Sequence, residues 1–325
     1  MLKVGPYSHH SQVIVAPMAG VTDQPFRNLC RKFGAFWLVS EMVTSDTKLW
    51  GTEKSKHRLR FHDEKEPRWI QIAGSEPSEM AEAARRNVEL GAQIIDINMG
   101  CPAKKVCNRL AGSALLRDES LVGRILQAVV QAVDVPVTMK MRIGWSKDQI
   151  NAIEIAQIAE DAGIQLITVH GRTREDRFSG SVDYNIIGLV KKSVSVPVIG
   201  NGDITSAGSA RMLLNHQNLD GVMIGRGVQG RPWFPAQVDA LLKGSAYNSP
   251  SEHEIIKTLE EHVVALSDFY GEYTGIRVAR KHIGWYLSRL AGVDQLRRIF
   301  NRLDSLQSQV NFIKELPFSG NLVTK

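Results

Sequence analysis

The stretch Ile94-Ile95-Asp96-Ile97-Asn98-Met99-Gly100-Cys101-Pro102 shows the unit from which this fold is built. A short apolar run ends in polar residues and a glycine–proline turn, the pattern of a strand buried on both faces. Amphipathic segments with helical periodicity separate most of the similar runs in the chain. Eight strands alternating with helices over about 230 residues predict an α/β fold, a closed parallel (β/α)8 TIM barrel. The other seven strands are predicted at Val13–Met18, Phe36–Ser40, Trp69–Ala73, Val135–Met141, Leu166–His170, Val196–Gly200 and Gly221–Gly225.

The chain is longer than a barrel requires. It has 325 residues, whereas a (β/α)8 barrel takes roughly 250. The segment Lys243–Pro250 is polar and rich in turn-forming residues, which predicts a linker. Beyond it the strand pattern stops, and the periodicity predicts helices at Glu252–Tyr270, Ile276–Leu290 and Gln295–Lys314. We therefore predict a barrel over residues 1–242, a linker over 243–250 and a C-terminal all-helical domain over 251–325.

Positive charge is concentrated in the predicted helical domain. The formal net charge of the chain is +6. Between residues 277 and 302 one acid, Asp294, stands against seven bases: Arg277, Arg280, Lys281, Arg289, Arg297, Arg298 and Arg302. In the middle helix Arg277 and Lys281 fall opposite the apolar face, with Arg280 at its margin. This pattern favours contact with an anionic partner, and a merely solvated helix face is the alternative.

The cysteines and the apolar segments indicate the cellular compartment in which the protein is expected. The chain has three cysteines, an odd number without metal-ligand spacing, which suits a reducing compartment and predicts no metal site. The early apolar stretch Val13–Val21 is short and contains Pro17, so we expect neither a signal peptide nor a membrane span. A cytoplasmic protein is expected, and nothing in the sequence calls for an obligate protein partner.

Polar residues stand at nearly every predicted strand end. Strand carboxyl ends in a barrel meet at one mouth, where catalytic residues are placed. A single polar residue there can simply satisfy backbone groups. The convergence of amide, lysine, histidine and thiol side chains at one rim instead favours an active site, built from Gln71, Asn98, Cys101, Lys140, His170 and Asn201.

The last two strands are followed by glycine-rich turns. They read Gly200-Asn201-Gly202-Asp203 and Gly225-Arg226-Gly227. Loops after strands seven and eight of barrels often bind phosphate, because glycines let backbone N–H groups approach its oxygens. Gly225 to Gly230 also fits G-x-G-x-x-G, but the strand and acidic residue that dinucleotide binding needs do not follow. A mononucleotide phosphate is favoured, with Arg226 supplying charge.

The three cysteines differ in their surroundings. Cys30 shares a helical face with Phe26 and Leu29 and is predicted to be a small core residue. Cys101 lies between Gly100 and Pro102 at the rim, where a loop presents its side chain. Cys107 is predicted to be an incidental loop thiol.

Several motifs in this order resemble the tRNA-dihydrouridine synthases, most closely their bacterial B subfamily. The resemblance covers essentially the whole chain. Cys107 is its main departure, and an oxidative bridge between Cys107 and Cys101 is the alternative that this departure leaves open. The motifs are Ala16-Pro17-Met18-Ala19-Gly20-Val21-Thr22-Asp23, Val39-Ser40-Glu41-Met42, Asp96-Ile97-Asn98-Met99-Gly100-Cys101-Pro102, Met141-Arg142-Ile143-Gly144-Trp145, His170-Gly171-Arg172-Thr173, Asn201-Gly202-Asp203-Ile204 and Arg277-Val278-Ala279-Arg280-Lys281.

The resemblance implies NADPH-dependent reduction of the C5–C6 double bond of a uridine in the D-loop of tRNA. FMN, bound tightly but not covalently, would carry the hydride, with Cys101 as proton donor to C5. Uracil would face Asn98, with Arg172 close by, and the basic helix with Arg277, Arg280 and Lys281 would hold the RNA. The positions that match the family's flavin contacts are Ala16, Pro17, Met18, Gln71, Lys140, His170, Asn201, Gly202, Asp203, Gly225 and Arg226.

Two other functions remain compatible with the sequence. A flavin-dependent reductase of small pyrimidines would use similar chemistry, but it would not need the basic helical extension and would not retain tRNA. A non-catalytic tRNA-binding barrel would be colourless when purified, and the lysine, histidine and cysteine at the rim argue against it.

Overall fold

The computed structural model describes residues 1–289 and 293–316. Alternation of strands and helices runs through the first three quarters of the chain, and helices alone follow. The strands are β1 Leu2–Val4, β2 Tyr7–His9, β3 Val13–Val15, β4 Trp37–Leu38, β5 Val43–Thr44, β6 Trp69–Ala73, β7 Ile94–Met99, β8 Val137–Arg142, β9 Ile167–His170, β10 Val198–Asn201 and β11 Gly221–Ile224. The helices are α1 Gln24–Lys32, α2 Glu53–Leu59, α3 Pro77–Glu89, α4 Lys104–Cys107, α5 Glu119–Ala132, α6 Ala152–Asp161, α7 Tyr184–Ser193, α8 Ala207–Gln217, α9 Phe234–Leu242, α10 Glu252–Tyr270, α11 Glu272–Tyr286, α12 Val293–Phe300 and α13 Leu306–Lys314.

Strands β3 to β11 form one parallel sheet that curls into a barrel. The sheet order is β4-β3-β11-β10-β9-β8-β7-β6-β5. A parallel bridge between Val39 and Trp69, with the Ser40 N–H donating to the Trp69 carbonyl at 2.9 Å, joins the β4 side to β6. Strands β4 and β5 therefore act as one barrel strand that is interrupted at residues 39–42. The predicted (β/α)8 barrel is confirmed, with the second strand broken.

The barrel interior is filled by alternate residues of its strands. The half of the interior near the amino ends of the strands is apolar and includes Trp37, Trp69 and Met223. The hairpin of β1 and β2, which the sequence did not reveal, packs Leu2 and Val4 against this layer. It covers the apolar layer at the end of the barrel where the strands begin.

The C-terminal helices α10 to α13 have a second apolar core. Leu259 and Val263 of α10 pack there with Ala279 and Ile283 of α11. The prediction of one helix over Gln295–Lys314 was wrong, because α12 ends at Phe300 and α13 begins at Leu306. Ser305 starts the new helix by accepting a hydrogen bond from the Ser308 N–H in a capping box. The division into domains at residues 243–250 stays a prediction.

Three contacts fix the C-terminal helices to the barrel. The Tyr270 hydroxyl donates to Asp23 at 3.1 Å, and Phe26 of α1 packs beside His262 and His282. Gly230 faces the backbone of α11, where an added Cβ would lie 2.4 Å from the Trp285 carbonyl carbon. The third glycine of the G-x-G-x-x-G match therefore serves helix docking. In the described ranges, no helix is long and apolar enough to cross a membrane.

Candidate active site

A cavity of about 850 Å³ opens at the carboxyl end of the barrel strands. That volume lies in the range of ordinary cofactor and ligand sites. The structure brings thirteen of the predicted site residues together in its walls: Ala16, Pro17, Met18, Gln71, Asn98, Cys101, Lys140, His170, Asn201, Gly202, Asp203, Gly225 and Arg226. Residues that are up to 210 positions apart in sequence thus share one cavity because each lies within or shortly after a strand of the parallel barrel.

A chain of hydrogen bonds fixes the amides in the cavity floor. Asp96 accepts from the Gln71 amide at 2.7 Å and from the Thr138 hydroxyl at 2.6 Å. The Gln71 oxygen in turn accepts from the Asn98 Nδ2 at 2.7 Å. Burial raises the pKa of Asp96 to about 6, and these two donors oppose that rise. Asp96 thus fixes the orientation of the Gln71 side-chain amide and, through it, that of Asn98. Asp96 was not among the predicted site residues.

The turn that carries Cys101 is held rigidly. The Asn98 Oδ1 accepts from the backbone N–H groups of Gly100 and Cys101, at 3.2 and 2.9 Å. The Cys101 carbonyl accepts from the Ser113 hydroxyl at 2.9 Å, and Arg142 Nε donates to the Gly100 carbonyl at 2.9 Å. Burial raises the pKa of the Cys101 thiol, and the nearby Cys107 adds to the rise. Cys101 is therefore a protonated thiol at neutral pH, carried at the cavity wall by a backbone that is fixed on both sides.

Lys140 and His170 form the polar side of the cavity. Lys140 makes no hydrogen bond or ion pair with the described part of the chain. Burial and then Arg142 lower the pKa of Lys140 to about 8, which leaves it mostly charged at neutral pH. Burial and then Lys140 lower the pKa of His170 well below its usual value. Lys140 thus supplies charge, whereas His170 is a neutral hydrogen-bonding group.

The glycine-rich turns after β10 and β11 form one corner of the cavity, and phosphate binding was predicted for these turns. Gly202 has φ of +131°, and an added Cβ would lie 2.8 Å from Val182, so only glycine fits there. The Asp203 carboxylate accepts from Arg226 at 3.0 Å and from Arg172 at 2.6 and 2.9 Å. At Gly225 an added Cβ would enter the cavity beside Met18. The corner thus offers accessible backbone and the Arg226 guanidinium.

Four of the predicted substrate-binding residues lie outside the cavity walls. Arg172 is 2% exposed and is fully occupied by Asp203, Ser179 and Gly180. Arg277 is exposed and stacks on the Tyr273 ring, 3.8 Å from its centroid. Arg280 is half-buried and donates to the Leu303 carbonyl at 3.1 Å, whereas Lys281 is exposed and faces Gly20 near the mouth. The predicted basic triad is therefore split between different surroundings.

The structure adds cavity residues that the sequence reasoning missed. Phe178 is 53% exposed and lines the cavity, with the Arg142 and Arg226 guanidinium carbons 5.5 and 5.0 Å from its ring centroid. Arg177 lines it as well, in the left-handed region at φ of 51°. An apolar ring in the polar loop after β9 was the available signal for Phe178. Arg142, the last residue of β8, also lines the cavity and was not among the predicted site residues.

Fold and site together define a (β/α)8-barrel protein with a cation-lined cavity at the carboxyl mouth and a fixed thiol in its wall. The sequence pattern of the dihydrouridine synthase (Dus) family matches residues 14–319. The chain therefore belongs to the dihydrouridine synthase family and is an enzyme of that family.

Individual relatives agree with this assignment. The tRNA-dihydrouridine synthase B of Pseudomonas syringae pv. tomato is 54% identical over 98% of this chain and 95% of its own length. The Pseudomonas aeruginosa protein of the same name is 53% identical over 97% and 95%, and that of Shewanella oneidensis is 51% identical over 96% and 97%. A mandelate oxidase structure aligns with a TM-score of 0.48 and 18% identity, over 71% of this chain and 70% of that one, a likeness too weak to carry an argument.

Proposed function

We propose that the protein reduces the C5–C6 double bond of a D-loop uridine in tRNA, with FMN in the cavity and NADPH as the reductant. The observation that carries the proposal is the protonated Cys101 thiol in the same cavity as the Lys140 ammonium, which has no hydrogen-bond or ion-pair partner among the described residues. Relatives that bear the name tRNA-dihydrouridine synthase B, at 50% identity or more, support tRNA as the substrate.

The residues present fit FMN. Ala16, Pro17 and Met18 give the cavity an apolar wall, and the missing side chain at Gly225 leaves room beside it. The turns at Gly202 and Arg226 suit a terminal phosphate, because backbone N–H groups and a guanidinium bind its oxygens. Lys140 would offset negative charge on the reduced ring, and Gln71 and Asn201 would position it. Arg172 acts through its ion pair with Asp203, which holds this turn in place.

The protein's own groups supply position and a proton, as in other cofactor enzymes. When bound, FMN would supply the hydride for C6 of the uracil. Cys101 delivers its proton to C5, and its raised pKa keeps that proton available at neutral pH. Asn98, fixed by Gln71, presents its amide to the pyrimidine. The neutral His170 donates a hydrogen bond, and Lys140 stabilises negative charge.

The uridine must leave its surroundings in the folded RNA to reach the cavity, which takes a few kcal/mol. Phosphate contacts elsewhere on the RNA have to compensate, because they hold its position. The exposed cations Arg277 and Lys281 of α11 are candidates for these contacts, and Arg280, tied to Leu303, supports the helix that carries them.

A first prediction concerns the cofactor. The purified protein is expected to be yellow, to release FMN on heat denaturation and to bleach under anaerobic NADPH. Arg226→Ala is expected to weaken FMN binding about 10- to 100-fold, because it removes a charge-assisted phosphate contact. Fluorescence titration of the apoprotein with FMN measures this dissociation constant.

Arg124→Ala is the matched control, since Arg124 is an exposed arginine of α5 away from the cavity. Its FMN affinity should equal that of the wild type. A colourless protein that FMN cannot reconstitute would refute the proposed cofactor. If Arg226→Ala binds FMN as tightly as the wild type does, the phosphate does not bind at this corner.

A further inference from the structure

Four cations from three separate helices lie together beside the cavity mouth. They are Lys54 and Arg58 of α2, Lys105 of α4 and Lys281 of α11. Lys54 and Arg58 share one helical face because they are four residues apart. The pKa of Lys54 is lowered, first by Arg58 and then by partial burial, with smaller effects of Lys105 and Lys281, while Glu41 opposes the change. The direction of this shift is the one that nearby like charges produce.

Hydrogen bonds attach this cluster to the cavity wall. Gly20 lies between Ala19 and Val21, which line the cavity, and its N–H donates to Glu41 Oε1 at 2.6 Å. Arg58 Nη2 donates to the same oxygen at 3.3 Å. The Lys281 ammonium lies 3.3 Å from the position that a Cβ on Gly20 would take. Helices α2 and α11 thus flank the same loop of the cavity wall.

The cluster reaches the mouth on the α4 side as well. Lys104 itself lines the cavity, and Lys105 is exposed next to it. Lys54 and Lys281 are also exposed, and these three ammonium groups make no hydrogen bond or ion pair with the described residues. Glu41, by contrast, is 6% exposed and already bound by Gly20 and Arg58.

Convergence of uncompensated cations from three helices is unfavourable for the free protein, since like charges at a surface repel. A merely solvated face would not need to gather them at one place. A polyanion that crosses the mouth would bind all of them at once. The sequence placed the RNA grip on Arg277, Arg280 and Lys281, whereas the structure joins only Lys281 of these to the mouth.

We propose that Lys54, Arg58, Lys105 and Lys281 bind the RNA phosphates on either side of the uridine that enters the cavity. This inference rests on the proposed function, because it takes tRNA as the polyanion. It assigns a role to α2, the short helix between β5 and β6. Arg58 has a second task, holding Glu41 and through it the Gly20 loop.

The test is the triple variant Lys54→Gln, Lys105→Gln and Lys281→Gln, with Arg58 retained so that the Glu41 contact stays. The affinity for unmodified tRNA transcript is measured between about 50 and about 200 mM salt. The slope of log affinity against log salt is expected to fall by about two to three units, close to one per lost phosphate contact. FMN content, measured on the same preparation, shows that the cavity is intact.

The matched control removes the same charge at the other end of the barrel, through Lys3→Gln, Lys192→Gln and Lys243→Gln. Its salt slope should equal that of the wild type. An equal loss in both variants would indicate a general charge effect and overturn the assigned surface. If the wild type binds tRNA and the variant of Lys54, Lys105 and Lys281 has the same salt slope, the proposed RNA-binding surface is wrong, but the proposed function is not affected. A wild-type protein that binds FMN but no tRNA would refute the proposed function, and the surface with it.

Discussion

Cys101→Ala is expected to lower the rate of dihydrouridine formation in tRNA by roughly 10² to 10⁴, the usual range for a lost general acid. The Cys101 backbone is held at the cavity wall by its hydrogen bonds with Asn98 and Ser113, so water cannot take the place of the thiol with the same geometry. Bleaching of the flavin by NADPH should proceed at the normal rate, because that half-reaction needs no proton for uracil. Single-turnover formation of dihydrouridine with pre-reduced enzyme measures the effect.

Cys107→Ala is the matched control for Cys101→Ala. Cys107 is buried, with its sulfur 3.7 Å from the Ser113 hydroxyl and 3.6 Å from the Cys101 carbonyl. It does not line the cavity, so its variant should form dihydrouridine at close to the wild-type rate. Because burial raises the pKa of Cys101, the wild-type rate should persist to higher pH than an exposed cysteine would allow. If Cys101→Ala forms dihydrouridine at the normal rate, another group donates the proton.

The sequence predicted those parts of the fold that local patterns determine. Strand β6 at Trp69–Ala73 and helix α10 at Glu252–Tyr270 have the predicted bounds. The helix is bounded locally, by the capping box of Ser251 with Glu254 and by Gly271 at its end. The shared cavity of residues at seven strand ends could also be predicted, because parallel strands in a barrel all end at one mouth.

The parts that depend on distant contacts could not be predicted in the same way. The β1–β2 hairpin is three residues a side and owes its place to the barrel core against which Leu2 and Val4 pack. The neutrality of His170 results from burial beside Lys140, which no local pattern encodes. Likewise, Arg280 and Lys281 are adjacent in sequence, yet one binds the Leu303 carbonyl and the other reaches the Gly20 loop.

The joint between the barrel and the C-terminal helices contains two buried imidazoles. His262 of α10 and His282 of α11 are 0% exposed, with ring centroids 4.3 Å apart beside Phe26 of α1. Nε2 of His262 and both ring nitrogens of His282 have no hydrogen-bond partner within the described residues. Burial lowers the pKa of His262 to about 3, and burial followed by His262 and Lys281 lowers that of His282 well below its usual value.

These shifts predict acid sensitivity with a definite sign. Between about pH 6.5 and the lowered pKa values, the unfolded chain binds two protons that the folded protein does not, so stability falls as pH falls. From neutral pH to pH 5 the two histidines together should remove about 4 kcal/mol from the free energy of unfolding. Asp23 and Asp96, with pKa values raised to about 7 and about 6, act in the opposite direction over much of this range. The wild-type curve is therefore flattened, and the effect has to be measured as a difference between variants.

Replacing both imidazoles by apolar side chains should remove this acid sensitivity. The double variant His262→Leu with His282→Leu is expected to differ from the wild type by a nearly constant free energy of unfolding above pH 7, set by packing. Between pH 7 and pH 5 the difference should shift by about 4 kcal/mol in favour of the variant, because its folded state no longer excludes two protons. Urea unfolding at a series of pH values measures the shift.

His253→Leu is the matched control, since His253 is exposed on the same helix α10 and should leave the pH dependence unchanged. A double variant whose pH dependence parallels that of the wild type would show that these imidazoles are already solvated or partnered in the folded protein.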